Sequence, residues 1–264
     1  MIEPTIQQLF DLTGKAALVT GGTGHLGSSI SRALAEAGAS VVISSRDQSR
    51  AQDAAAQLPA PGAAEHFGVQ LDHLDETSLK AGFEETLRCT GQLDILINNG
   101  QAGDGHDLTD VTEELFNRQL ANATGYFLLA RLLRDHAVER GAPASVVLLG
   151  SMYGLVGSYP DAYAGVSTAS PVHYHTLKGG IIHMTRHLAV YWAGDNVRVN
   201  CLSPGPFPSA KAPAEMVDRL KAKNPMGRMG SPHELKGALL LLASDAGSYI
   251  TGQNIVVDGG WTAW

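Results

Sequence analysis

Short runs of apolar, often β-branched residues recur along the chain, at positions 16–19, 41–43, 67–69, 95–97, 146–149, 197–199 and 255–257. Longer helix-like segments lie between them, so the pattern reads strand, helix, strand from end to end. The runs are apolar on both faces, and the intervals are long enough for crossover helices. They predict an α/β fold, a doubly wound parallel sheet of about seven strands flanked by helices. No repeat or low-complexity tract interrupts it, and the Pro/Gly-rich stretches 59–62 and 204–213 read as loops rather than linkers. One domain spanning residues 1–264 is expected.

The formal net charge of -7 over 264 residues argues against a nucleic-acid or anionic-membrane surface, which needs clustered Lys and Arg. Small-molecule chemistry is the better expectation. The start, Met1-Ile2-Glu3-Pro4-Thr5-Ile6-Gln7, has no basic segment leading into an apolar run, and nowhere do about 18 apolar residues follow one another. A soluble, cytoplasmic protein is expected. Cys89 and Cys201 are the only cysteines and stand far apart, which suggests neither a disulfide framework nor a zinc site. His183 and His187 share a helix face, but no third ligand is evident, so no metal is expected.

The first candidate chemistry follows the first strand, in Thr20-Gly21-Gly22-Thr23-Gly24-His25-Leu26-Gly27. A helix that starts here turns free amides toward an anion, and Gly21, Gly24 and Gly27 let the backbone approach a pyrophosphate. Turn geometry alone would also explain three glycines; the position between strand and helix favours a dinucleotide. At the end of the second strand, an acid would accept a hydrogen bond from a ribose 2'-hydroxyl, whereas a cation would attract a 2'-phosphate. Ser45 followed by Arg46 favours NADP(H), while the adjacent Asp47 keeps NAD(H) open and Arg46 also reads as a solvated helix-start residue.

Tyr174 and Lys178 stand at i and i+4 of an amphipathic segment running to about Trp192, so both project from one face. An ammonium beside a phenol stabilises the phenolate and brings its pKa toward the working range. Ser151 follows the 146–149 run, where the carboxyl end of a strand opens on a ligand crevice. Together with Asn122, these are the groups that a hydride-transferring carbonyl enzyme needs.

The whole constellation resembles the short-chain dehydrogenase/reductase family, in its compact subclass, over nearly the full chain. The glycine motif matches Thr20 to Gly27, an adenine-side acid matches Asp72, and the Asn-Asn and Asn-x-x-Gly elements match Asn98-Asn99 and Asn122 to Gly125. Ser151, the Tyr174 to Lys178 pair, Pro204-Gly205 and Asp258-Gly259-Gly260 complete the order. The resemblance implies a Rossmann fold and a small-molecule ketone or secondary alcohol as substrate, of sugar-acid or acyl type. It implies Tyr174 as acid/base, Lys178 lowering its pKa and holding the nicotinamide ribose, Ser151 orienting the carbonyl and Asn122 supporting a water-linked proton path, with hydride passing directly to or from the nicotinamide. Implied cofactor contacts are Gly21, Thr23, Gly24, His25, Leu26 and Gly27 in the turn, then Ser45, Arg46, Asp72, His73, Asn99 and Gly100. Tyr174, Lys178, Pro204, Gly205, Phe207 and Ser209 would meet the nicotinamide end. A homotetramer or dimer is implied too, with Trp261 and Trp264 as interface anchors. An epimerase or dehydratase that recycles its nicotinamide, or a cofactor-binding subunit without turnover, would use the same fold.

Three departures individualise the chain. His25 stands where the subclass has a glycine, and Gly100-Gln101 stand where Ala and Gly are usual. Ser151 and Tyr174 are 23 positions apart, more than the family pattern. Residues 155–171, with Tyr159, Pro160, Asp161 and Tyr163, must therefore loop out over the substrate side. They would narrow the pocket around a hydroxyl-rich substrate, form an oligomer contact, or make a plain surface excursion. Lys211, Arg219, Lys221 and Lys223 read either as an attractor for an anionic substrate or as a solvated helix face.

Overall fold

The computed structural model describes residues 3–103, 105–106, 108–168 and 170–264. Met1 and Ile2, part of the start read above, and Ala169, part of the predicted excursion, lie outside the described residues. Each apolar run becomes a strand: β1 (Ala16–Thr20), β2 (Ser40–Ser45), β3 (His66–Gln70), β4 (Ile95–Asn98), β5 (Ala144–Leu149), β6 (Val197–Pro204) and β7 (Asn254–Val257). They form one sheet in the order β3-β2-β1-β4-β5-β6-β7, with every neighbouring pair parallel.

Helices α1 (Ile6–Phe10), α2 (His25–Glu36), α3 (Gln48–Ala56), α4 (Glu76–Thr90), α5 (Glu113–Arg140), α6 (Pro160–Tyr163), α7 (Val172–Trp192), α8 (Ala214–Lys221) and α9 (Lys236–Ala243) accompany the sheet. Side chains alternate across a strand, so each apolar run feeds two cores. Ala16 and Leu18 of β1 join α4, α5 and α7 on one face, while Ala17 and Val19 join α2, α3 and α9 on the other. This is why the strands show no polar alternation in sequence. The order reverses between β1 and β4, and the crevice at their carboxyl ends is the place where doubly wound sheets bind ligands.

The excursion between Ser151 and α7 is built rather than loose. It contains a 3-10 turn, Met152–Gly154, and the short α6, and Pro171 caps the start of α7. Tyr153, Ala162 and Tyr163 form a third apolar cluster with Met152, Leu220 of α8 and Trp261, and Tyr159, Tyr174 and Met216 pack against it. Trp261 is only 1% exposed, with its ring 5.4 Å from that of Tyr159 in an edge contact. The expectation that Trp261 anchors a subunit interface is therefore corrected: the Asp258 carboxylate accepts from the Gly260 and Thr262 amides, which folds the tail inward and seats the indole in its own chain. Trp264 is 72% exposed. Among the described residues no helix is long and apolar enough to cross a membrane.

Candidate active site

The turn after β1 is assembled by backbone contacts. Gly21 has φ +60, and a Cβ there would stand 2.7 Å from the Gly100 Cα. A Cβ on Gly27 would run into the Gly21 carbonyl oxygen, so this turn closes only with glycine at both places. Asn99 and Gly100 donate their amides to Thr20 Oγ1 at 2.9 and 2.8 Å, and Asn99 Nδ2 donates to the Thr20 and Gly21 carbonyls at 3.0 and 3.1 Å. The β1 and β4 ends are thus tied into one floor. A Cβ on Gly100, in the place of the usual alanine, would meet the Gly21 amide at 3.2 Å and Thr20 at 3.3 Å.

Gly24 caps α2 and offers no side chain to its first amides, which leaves the amino-terminal end of a 12-residue helix facing the crevice. His25, unusual for the motif, is accommodated because it opens the helix with ordinary helical backbone and an exposed side chain. The crevice beyond holds a cleft of ≈160 Å³ lined by Thr20, Gly21, Thr23, Ser45, Arg46, Arg50, Asp72, His73 and Gly100. Asp47 is turned away from it, accepting from the Arg50 amide as the N-cap of α3 and donating its own amide to Ser45 Oγ. Arg50, which the sequence reading missed, reaches back so that Nη2 donates to the Thr23 carbonyl at 3.4 Å. Its signal was available: it stands four positions after Arg46, in the first turn of α3. Uncapped amides, glycine-tight backbone and two guanidinium groups fit a phosphate-bearing dinucleotide.

Tyr174 and Lys178 leave α7 side by side beneath the excursion. The Ser151 hydroxyl, which accepts from the Tyr153 amide at 3.1 Å, lies near enough to the Tyr174 phenol to draw its pKa down. Lys178 is 3% exposed, donates from Nζ to the Leu149 carbonyl at 2.7 Å, and lies 5.6 Å from the Tyr174 ring centroid. Burial brings its ammonium down to about 8. Lys178 is not among the groups that shift the Tyr174 pKa, so the expectation that it lowers it is not met. Burial pushes the phenol above its ordinary value, the Ser151 hydroxyl offsets part of that, and nearby Tyr163 adds to the rise. The ammonium lies over the ring and against a carbonyl rather than at the hydroxyl, so the apolar roof wins.

Asn122 is fully buried and fully committed. Nδ2 donates to the Ala102 and Gln119 carbonyls at 3.0 and 2.7 Å, while Oδ1 accepts from the Ala102 amide at 2.9 Å and meets His73 Nε2 at 2.7 Å. Gly125, one turn on, lets α5 approach the His73 carbonyl, where a Cβ would collide. The Asn-x-x-Gly element thus pins α5 to the loops after β3 and β4. Burial lowers the His73 pKa, and its bond to Asn122 opposes that.

The loop after β6 holds two more of the expected contacts. Phe207 packs on Gly230 in a separate cavity with Asn224 and Arg228, and Ser209 is exposed, its hydroxyl accepting from the Lys211 amide. Pro204 closes β6, and Gly205 is pressed against Asp258. The readings of Arg219 and Lys223 are also revised. Arg219 Nη1 donates to the Asp161 and Ala164 carbonyls at 3.1 and 2.7 Å, and Lys223 Nζ pairs with Asp161 at 2.7 Å beneath the Tyr159 ring. They strap the excursion down; Lys221 pairs with Asp218. A cavity of ≈260 Å³ opens beside Tyr174, lined by Gln101, Gly103, Gln119, Ser170, Pro171 and His173. Gln119 and Ser170 escaped the sequence reading.

The group can bind a carbonyl or hydroxyl oxygen at Ser151 and Tyr174 and exchange a proton with it. A family model described as enoyl-(acyl carrier protein) reductase matches residues 23–262. The galactitol 2-dehydrogenase (L-tagatose-forming) of Cereibacter sphaeroides is 34% identical over 97% of this chain and 98% of its own. The 3-oxoacyl-[acyl-carrier-protein] reductase of Aquifex aeolicus is also 34% identical, over 94% of this chain and 98% of its own. Among solved structures, a short-chain type dehydrogenase/reductase from Mycobacterium marinum superposes with a TM-score of 0.88 at 32% identity, covering 99% of this chain and 100% of that one. A gluconate 5-dehydrogenase from Burkholderia cenocepacia, in complex with NADP and tartrate, gives 0.86 at 27% identity, covering 98% and 100%. A short chain dehydrogenase from Leptospira borgpetersenii with bound NAD+ gives 0.84 at 30%, covering 99% and 97%. With the glycine turn, the neighbouring Ser151 and Tyr174 and the buried Lys178 in one crevice, and with these relatives matching it from end to end, the chain belongs to the short-chain dehydrogenase/reductase family and is an NAD(P)-dependent oxidoreductase of alcohols and ketones.

Proposed function

We propose that residues 1–264 act as one catalytic domain that moves a hydride between NADP(H) and a ketone or secondary alcohol of a polyol or sugar acid, with Tyr174 as acid/base. The observation that carries this reading is the Tyr174 phenol beside the Ser151 hydroxyl and the buried Lys178, at the wall of a cavity. The bound nicotinamide supplies the hydride exchange. The chain supplies the rest. Ser151 orients the substrate oxygen, and Tyr174 donates its proton to that oxygen in reduction and takes it back in oxidation. Lys178, held against the Leu149 carbonyl, would offer its ammonium to the ribose. Asn122 acts as a positioning residue that fixes α5 against the loop of Ala102.

The preference for NADP(H) is supported by Arg46 and Arg50 at the cleft and by the diversion of Asp47 to cap α3. The substrate class is supported by the names of relatives that act on galactitol and gluconate. A homotetramer or dimer is supported by apolar side chains bare on two long helices, Val138 on α5 and Val190 and Tyr191 on α7. Light scattering of the purified protein tests this, and a monomeric mass overturns it. Fluorescence titration with NADPH and NADH tests the cofactor. NADPH should bind more tightly, and replacing Arg46 and Arg50 together by Ala should weaken NADPH by about tenfold to a hundredfold while leaving NADH nearly unchanged. Preference for NADH overturns the assignment. Tyr174→Phe should retain NADPH binding and lower turnover by about 10²- to 10⁴-fold.

A further inference from the structure

The wall of the cavity beside Tyr174 includes one polar group that the catalytic set leaves unused. Gln119 lies on α5 one turn before Asn122, on the same face, and is 2% exposed. Its side-chain Nε2 has no hydrogen-bond partner among the described residues. A buried N–H without an acceptor is unfavourable, and native proteins hold few of them outside sites where something else supplies the acceptor. Its place in the helix is fixed, since Asn122 Nδ2 donates to the Gln119 backbone carbonyl at 2.7 Å and the other Asn122 bonds anchor that turn to Ala102 and His73. The donor is thus held on a rigid element, as a recognition group must be.

Among the other side chains in the lining, Gln101, Ser170 and Tyr174 carry polar atoms, and Pro171 is wholly apolar. An alkyl chain placed here would leave the amide of Gln119 unpaired, whereas a ligand bearing hydroxyl or carboxylate oxygens would accept from it. Sites built to hydrogen-bond a substrate group reject analogues that lack it far more strongly than apolar pockets reject an added group. We infer that Gln119 is a specificity-determining residue that donates to a hydroxyl or carboxylate oxygen on the carbon skeleton beside the reacting carbonyl. It selects hydroxylated ketones over alkyl and acyl-chain ketones. This rests on the reading of Tyr174 as the proton donor to a carbonyl in this cavity.

The test compares kcat and KM of the NADPH-loaded wild type, Gln119→Leu and Gln119→Glu on fructose, 5-ketogluconate, cyclohexanone and a 3-oxoacyl thioester. In Gln119→Leu the ratio of kcat/KM for fructose over cyclohexanone should fall at least tenfold, chiefly through KM. Its Tm should not fall, because the change removes an unpaired buried donor; Gln119→Met repeats the comparison if the leucine variant does not fold. Gln119→Glu separates the two oxygen sources. It should lose 5-ketogluconate selectively where a carboxylate docks, and should keep both sugars where a hydroxyl does. An unchanged ratio in Gln119→Leu, or a wild type that prefers cyclohexanone or the thioester, overturns the inference and leaves carbonyl reduction standing. If the wild type reduces no carbonyl, the underlying reading has failed. The rise in Tm of the NADPH complex on adding sorbitol or gluconate, and its loss in Gln119→Leu, then decides the role of Gln119 on its own.

Discussion

The two sides of the crevice are built by different means. The cofactor side is backbone against backbone: Gly21 on Gly100, Gly27 on the Gly21 carbonyl, and Thr20 and Asn99 stitching β1 to β4. The substrate side is side chain against side chain, with Tyr159 and Tyr174 packed against the cluster of Tyr153, Tyr163 and Trp261 and the segment strapped by Arg219 and Lys223. A backbone interface tolerates little variation because almost any Cβ spoils it. An aromatic roof tolerates exchange wherever volume and a few polar ties are kept. The difference teaches that the glycine turn leaves little room for variation, whereas the roof is built from material that the chain adds between Ser151 and α7.

The largest expected effect tests the backbone side. Gly27→Ala sets a methyl against the Gly21 carbonyl and should destabilise the protein by about 3 kcal/mol or more and weaken NADPH binding. Gly157→Ala, in the excursion and open on all sides, should change stability by less than about 0.5 kcal/mol. Chemical denaturation of both variants is the check, and equal losses would erase the contrast.

Next in size is a pH effect at the boundary between the two sides. Lys178 ionises near 10.5 when unfolded and at about 8 when buried in the native chain. Below pH 8 both states hold the proton, and the buried charge is a standing penalty. Between about 8 and 10.5 the unfolded state binds more protons, so this penalty lifts as pH rises. Lys178→Met should therefore exceed the wild type in stability by more at pH 7 than at pH 10, the gap narrowing by about 2 to 3 kcal/mol. Paired unfolding curves across that range decide it, and a constant gap would show that the ammonium is not desolvated.

The smallest effect concerns the roof straps. Arg219→Ala removes two hydrogen bonds to the Asp161 and Ala164 carbonyls and should cost about 1 kcal/mol, felt locally. Limited proteolysis within residues 155–171 should quicken several-fold while global Tm moves little. Unchanged cleavage would mean that the aromatic cluster alone holds the roof.

What was legible in the sequence follows the same division. Strands buried on both faces announce themselves as unbroken apolar runs, and all seven were readable. The Tyr174–Lys178 pair is local to one helix, and the glycine turn is local to one loop, so spacing sufficed for both. Arg50 was missed because its reach to Thr23 spans two separate turns. Trp261, Arg219 and Lys223 were misjudged because their roles exist only where the excursion, α8 and the tail meet, and exposure was assumed for residues that tertiary packing employs. Gln119 was silent for a related reason: its amide is informative by what it lacks, which no motif encodes. The phenol of Tyr174 was expected to fall in pKa because the lysine was visible in sequence and the roof that buries it was not.

The roof also sets an order of events during synthesis. The catalytic helix and the 155–171 segment emerge before Arg219, Leu220, Lys223 and Trp261, the groups that fasten and fill the roof. On the ribosome, the nascent sheet and its nucleotide crevice can form while Tyr174 is still open to water. Its shelter closes only once the last strand and the segment behind it, with Trp261, have arrived.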